Sequence, residues 1–142
     1  MKIVTIDASA AAAWLFPGQA THAADMFLMT DEPRRFIAPS IFPWEIGNQI
    51  AHRARRSGTS AAEMLADLRM FEIEIAIAPA AVTVIESVET ALSRGLSLFD
   101  NAYLQLCLDQ DAALASRDAD LLAAAAALGV LAHDLRDEAS LP

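Results

Sequence analysis

A chain of 142 residues has the size of one domain, and a 55% hydrophobic, 20% charged composition excludes a disordered or low-complexity protein. A single cysteine, Cys107, excludes an intramolecular disulfide framework and makes a reducing, cytoplasmic compartment the default. The formal charge of −9 argues against a general nucleic-acid coat protein, because phosphate binding runs on Lys and Arg.

The chain opens on Lys2–Ile6, a β-branched run ending at Asp7 that predicts a buried strand. Asp7 follows too soon for a secretory leader, and no apolar stretch is long enough to span a membrane; Leu121–Ala132 comes nearest. An Ala-rich helix is expected from Ser9 to Leu15, capped by Asp7 or Ser9 and broken at Pro17-Gly18. A second helix is expected from about Gln19 to Met29, then a strand over Arg34–Ala38. Pro39-Ser40 leads into a helix running to Arg56, with Ser40 as its N-cap and Glu45 in its middle. Ser57-Gly58 ends that helix, and Thr59 or Ser60 caps the next, which reaches about Phe71. Ile73, Ile75 and Ile77 alternate as in a strand ended by Pro79. Helix is expected from Ala80 to Arg94, with Gly95 as its stop, and again over Phe99–Leu108 behind Ser93 or Ser97. Ala112–Ala115 predicts a strand, Leu121–Leu128 a helix stopped by Gly129, and Val130–Ala132 the last strand. Strands alternating with helices predict an α/β architecture with a mainly parallel sheet, in one domain spanning 1–142.

Ligands of such sheets bind outside the carboxyl ends of the strands. Asp7 and Asp118 are expected at those ends. Glu45 and Asp100 stand among apolar neighbours, where a carboxylate is costly to desolvate unless something pairs it. No Lys or Arg adjoins Asp7, Glu45 or Asp100 in sequence, so a hard divalent cation such as Mg²⁺ or Mn²⁺ is the economical partner. Each acid also has a plainer reading. Asp7, Asp118 and Asp120 would serve as helix caps, and Asp100 would complement a helix dipole. Five arginines against one acid between Arg34 and Arg56 make that segment basic. Arg53, Arg55 and Arg56 lie one to three turns beyond Glu45, where they would meet a nucleic-acid backbone or merely balance a helix end. Trp14 and Trp44 are expected in the core. The three histidines lack metal-ligand spacing, and Cys107 is expected to be a buried helix residue.

Five ordered stretches resemble the PIN-domain endoribonucleases, and more closely the VapC-type toxins of toxin–antitoxin pairs. They are Val-Thr-Ile-Asp-Ala-Ser (4–9), Ala-Pro-Ser-Ile-Phe-Pro-Trp-Glu-Ile (38–46), Leu-Ser-Leu-Phe-Asp-Asn-Ala-Tyr-Leu-Gln-Leu-Cys (96–107), Leu-Ala-Ser-Arg-Asp-Ala-Asp-Leu (114–121) and Ala-Leu-Gly-Val (127–130). The resemblance implies a three-layer α/β/α sandwich on a twisted sheet of four or five strands. It implies that Asp7, Glu45, Asp100 and Asp118 ring one or two Mg²⁺ or Mn²⁺ ions, Asp7 and Asp100 as the most direct ligands. Ser9 and Ser116 would support them, and Asp120 would share or replace the role of Asp118. The activity implied is metal-dependent hydrolysis of RNA phosphodiesters by in-line attack of activated water, with Arg53, Arg55 and Arg56 contacting RNA. The partners implied are a cognate antitoxin that silences the toxin and a second copy of the chain, with Phe27, Met29, Met64, Met70 and Phe71 as dimer-face candidates against ordinary core packing. The alternative is a non-catalytic partner-binding domain that keeps the fold.

Overall fold

The computed structural model describes residues 1–137 apart from positions 59, 73 and 81. Five strands form one all-parallel sheet: β1 (Lys2–Ile6), β2 (Arg34–Pro39), β3 (Ile75–Ala78), β4 (Ala113–Ser116) and β5 (Ala132–Asp134), in the order β3-β2-β1-β4-β5. The helices are α1 (Ala8–Leu15), α2 (His22–Leu28), α3 (Phe42–Ser57), α4 (Ala61–Glu72), α5 (Val84–Arg94), α6 (Leu98–Gln110) and α7 (Ala119–Ala127). β1 is central because both faces and both edges of Val4–Ile6 are covered, which suits its β-branched run.

Side chains alternate across a strand, and β2 shows what each face meets. Phe36 stacks on Trp14 of α1 at 5.9 Å between ring centres, whereas the next residue, Ile37, packs with Leu106 of α6. The sheet is therefore the middle of three layers. Ala10–Ala13 are buried, and their small side chains let α1 lie close against α3 and β4. Trp14 is core as expected: it sits among Phe27, Phe36 and Phe71 and donates its indole N–H to the Ala24 carbonyl at 3.0 Å. Phe27, Phe71 and Met64 belong to this packing, so of the five dimer-face candidates only Met29 and Met70 are exposed. Cys107 is buried, and burial pushes its thiol up to about 11, which suits a packing residue and not a nucleophile.

Several element ends differ from expectation, each for a local reason. Asp7, not Ser9, caps α1 by accepting from the Ala10 N–H. A 3₁₀ turn takes up Pro17–Gln19, and Thr21 caps α2, so that helix starts later than Gln19. Ser40 is not the N-cap of α3. The helix begins at Phe42 without a side-chain cap, and Pro43 in its first turn has no N–H to satisfy. This places Glu45 in the first turn, not mid-helix. Thr83 caps α5 by accepting from the Glu86 N–H, and its hydroxyl donates to the Glu86 carboxylate, so the helix starts at Val84, beyond the expected Ala80. Ser97, not Ser93, caps α6. Asp118 caps α7, which therefore starts before Leu121. Gly129 adopts φ 74° and the Val130 N–H returns to the Ala125 carbonyl. That spends Val130 on the helix end and moves β5 to Ala132–Asp134. Gly58 and Gly95 end α3 and α5 with positive φ, as expected. The Thr59 cap and the Ile73 strand position lie outside the described residues. No helix among the described residues is long and apolar enough to cross a membrane.

Candidate metal centre

Every acid singled out from the sequence stands at a helix N-terminus on the carboxyl side of the sheet. Asp7 caps α1 directly after β1, Glu45 lies in the first turn of α3, Asp100 in that of α6, and Asp118 caps α7 with Asp120 just beyond. The register explains the closest approach. Ile6 pairs with Ala115, so the next residues, Asp7 just past β1 and Ser116 at the end of β4, stand side by side. Ser116 Oγ donates to Asp7 Oδ2 at 2.6 Å, and Ser9 Oγ lies 2.8 and 3.0 Å from the two carboxylate oxygens. Ser9 Oγ in turn accepts from the Arg117 N–H at 2.8 Å, and Ser116 Oγ from the Asp118 N–H at 2.9 Å. The two serines thus hold the Asp7 carboxylate from both sides.

Asp7 is 5% exposed. Burial pushes its pKa up to about 6, against the hydrogen bonds from Ser116, Ala10 and Ser9, and the charge of Asp118 pushes the same way. Glu45 is raised by burial and by Asp100, although a hydrogen bond from Tyr103 opposes this. Asp100 is raised by burial, then by Asp118 and Asp120. The five acids are therefore linked in a chain of charge, Asp7 to Asp118, Asp118 to Asp100, and Asp100 to both Glu45 and Asp120. None forms an ion pair among the described residues, where the two pairs are Lys2–Glu32 and Arg136–Asp134. Arg117 feels the charge of Asp7, but its guanidinium is spent on the Ser9 carbonyl, the Gln19 carbonyl and Gln19 Oε1.

This donor set suits a hard cation: all oxygen, partly desolvated and, among the described residues, without an ion-pair partner. Among the described residues no three Asp, Glu, His or Cys side chains are drawn tightly enough to cage an ion by themselves.

Two residues of the site were missed in the sequence. Tyr103, buried on α6, donates its hydroxyl to Glu45 Oε1 at 2.6 Å and lies close enough to Asp7 and Asp100 to feel both charges. A tyrosine in an apolar helix, one turn after Asp100, was the available signal, because a buried phenol needs a polar partner. Tyr103→Phe is expected to raise the Glu45 pKa further by removing the hydrogen bond that lowers it. Carboxyl ¹³C titration would measure this, and an unmoved or lowered value would show that the bond does not hold the carboxylate. The second is Arg117, which no spacing rule distinguishes from a solvated turn residue.

The arginines predicted to contact RNA divide. His52, Arg53 and Arg56 line a polar groove along α3 with Asn48, Gln49, Ser57 and, opposite, Gln19. Arg53 covers the Phe16 ring at 4.3 Å and its charge reaches Arg117, so the groove is continuous in charge with the Asp7 end. Arg55 is exposed outside that groove. Trp44 is 78% exposed, contrary to the core position expected of it, because the first turn of α3 turns Phe42 and Ile46 inward instead.

A family profile described as PIN domain matches residues 4–127. The chain belongs to the PIN domain family. Solved structures agree in fold. PAE2754 of Pyrobaculum aerophilum is similar with a TM-score of 0.68 at 20% identity, over 92% of this chain and 83% of that one. VapC20 of Mycobacterium tuberculosis, a sarcin-ricin loop cleaving toxin, gives 0.64 at 18% identity over 85% and 94%. VapBC2 of Rickettsia felis, bound to a DNA fragment from its promoter, gives 0.65 at 11% over 93% and 98%. At these identities the likeness is one of fold. No curated protein matches the sequence significantly. In this PIN domain, then, the parallel sheet is that of the family.

Proposed function

We propose that the chain is a divalent-metal-dependent endoribonuclease of the VapC toxin type. The observation that carries the reading is the gathering of Asp7, Glu45, Asp100, Asp118 and Asp120 at one end of the sheet without an ion-pair partner among the described residues. Asp7 and Asp100 hold Mg²⁺ or Mn²⁺, with Glu45 and Asp118 completing the shell or orienting water, and Asp120 beside them. The ion, when bound, supplies Lewis-acid stabilisation of the phosphodiester and activation of water for in-line attack. Ser9 and Ser116 keep Asp7 in one rotamer, and Tyr103 keeps Glu45 ionised and aimed. Arg53, His52 and Arg56 receive the RNA backbone in the groove of α3, with Arg55 on its outer side.

The same uncompensated charge supports an antitoxin partner, whose Arg or Lys side chain would occupy the pocket and silence it. A second copy of the chain is the other partner in this reading. The exposed Val84, Ile85, Val88 and Leu92 of α5 offer it more apolar surface than the dimer-face candidates that the core consumes.

The test is incubation of the purified chain with a mixed RNA pool and Mn²⁺ or Mg²⁺. Cleavage is expected to require the metal and to fall about 100-fold or more in Asp100→Asn, the scale on which loss of one electrostatic stabiliser acts. A folded protein that binds the metal and cuts no RNA would return the partner-binding alternative. A folded protein that binds no metal would overturn the carboxylate reading altogether.

A further inference from the structure

The bonds of Arg117 run in two directions. One set runs to the acids. Arg117 follows Ser116, which holds Asp7, and its backbone N–H donates at 2.8 Å to Ser9 Oγ, the hydroxyl on the other side of the same carboxylate. Its Nε–H donates to the Ser9 carbonyl at 2.8 Å, so main chain and side chain both brace Ser9. The other set runs to the groove. Nη1 donates to the Gln19 carbonyl at 3.1 Å and Nη2 to Gln19 Oε1 at 3.0 Å. Gln19 ends the 3₁₀ turn and lines the α3 groove opposite His52, Arg53 and Arg56, whereas Arg117 itself stays behind that wall.

The bond to Oε1 decides how the Gln19 amide stands. An arginine side chain has donors only, so the amide turns its oxygen to Arg117 and its NH₂ away from the guanidinium, on the side of the groove. Among the described residues that NH₂ has no acceptor, so it is a donor left for a ligand of the groove. The turn is pinned on its other flank as well. Phe16, which precedes it, is buried and lies under Arg53 at 4.3 Å. One planar fork therefore joins the groove wall to the residue that steadies Asp7, and it fixes a spacing that a flexible ammonium would leave loose.

We propose that Arg117 is a positioning residue that sets the α3 groove in register with Asp7, with the Gln19 NH₂ as a phosphate donor of the groove. This inference rests on the nuclease reading above, and it adds that the two halves of the site are coupled through the fork. A strand held at Gln19 meets the acids at a fixed offset, and a misplacement of about 1 Å in such an arrangement can cost 10²-fold in rate. The coupling is reciprocal: a cation at the acids strengthens RNA binding by the factor by which RNA strengthens cation binding.

The test measures that factor without turnover. A labelled, mixed-sequence oligoribonucleotide is mixed with the native chain in EDTA and in Mn²⁺, and anisotropy is read by stopped flow before cleavage. The native chain is expected to bind about 5- to 150-fold more tightly in Mn²⁺. Arg117→Ala is expected to lose that gain while still binding Mn²⁺ by calorimetry, because Asp7 keeps the hydroxyls of Ser116 and Ser9. Arg117→Lys is expected not to restore the gain, since it keeps the charge without the fork. In EDTA, Gln19→Ala is expected to weaken RNA affinity about 10-fold or more, the scale of one hydrogen bond to a charged group. Adding Arg117→Ala to it is expected to weaken binding no further, since the two residues act through one bond. Gln19 is partly exposed, so Gln19→Ala reads the proposal even where Arg117→Ala does not fold.

Equal losses of affinity in EDTA and in Mn²⁺, restored by Arg117→Lys, would make Arg117 a plain charge contact and overturn the proposal. A lowered melting temperature with the Mn²⁺ gain intact would make it a brace of the turn alone, which also overturns it, as does unchanged RNA affinity in Gln19→Ala. A native chain that cuts RNA yet gains no affinity from Mn²⁺ overturns the coupling and leaves the nuclease standing. An Arg117-dependent gain in a chain that never cuts RNA overturns the nuclease and keeps the coupling.

Discussion

Asp7→Asn is expected to melt at a higher temperature than the native chain in metal-free buffer at pH 7.5, and to cut no RNA. The carboxyl of Asp7 has a pKa raised from 3.8 to about 6 by burial. Between those values the folded chain holds a proton that the unfolded chain has lost. The stability that Asp7 contributes is therefore complete below about pH 4 and is lost as pH rises through 6. At pH 7.5 ionised Asp7 costs roughly 3 kcal/mol relative to its protonated form. Asparagine removes that cost but gives up the charge in the cap bond to Ala10, worth about 1 kcal/mol. The net gain of about 2 kcal/mol corresponds to a rise of roughly 6 °C. The advantage should shrink toward zero as the buffer is taken down to pH 4. Adding Mg²⁺ or Mn²⁺ should raise the melting temperature of the native chain and leave the variant where it was. A variant that melts below the native chain in EDTA would mean that Asp7 is already compensated and that no cation is wanted there.

Phe42→Ala carries the largest expected loss of stability. Phe42 is fully buried, the bulkiest of the fully buried side chains, and it starts the helix that bears Glu45. Removing it leaves a cavity, and such truncations cost 3–5 kcal/mol, against a total of roughly 5–15 for a domain. Chemical denaturation should show a loss of about 4 kcal/mol, and the melting midpoint should fall by about 10 °C. The first turn of α3 would lose its anchor, and with it the 2.6 Å bond between Tyr103 and Glu45. Phe42→Leu should recover most of the stability, because the larger side chain fills most of the space. A Phe42→Ala chain as stable as the native one would show that the start of α3 is held by something other than this ring.

The strands were legible because their signal is local. Lys2–Ile6 forms where expected, and the strand expected over Arg34–Ala38 runs one residue further, to Pro39. Helix starts were less legible where two residues competed for one cap, as Asp7 did with Ser9 and Ser97 with Ser93. The choice between such neighbours depends on which backbone N–H comes within reach of the side chain. The acids of the site were legible because a carboxylate on an apolar stretch is conspicuous. Their supports were not. The bond from Tyr103 to Glu45 spans 58 positions and that from Ser116 to Asp7 spans 109, and neither has any periodicity to reveal it. Trp44 was misplaced for a related reason. Large apolar residues are usually inside, and only the exact start of α3, moved by Pro43, decides that Phe42 is turned inward and Trp44 outward.

The strand order has a consequence for the chain as it is made. β1 is first to emerge, yet its partner on one side is β4, more than a hundred residues later. Until β4 arrives, β1 has an open edge, Ser116 is not there to hold Asp7, and Asp118 and Asp120 do not exist. A nascent chain on the ribosome therefore carries Asp7, Glu45 and even Asp100 without an assembled pocket. On the nuclease reading proposed above, the machinery that synthesises the protein, itself built of RNA and reading RNA, meets no assembled pocket until β4 has emerged. Chains broken off before β4 lack the pocket in the same way.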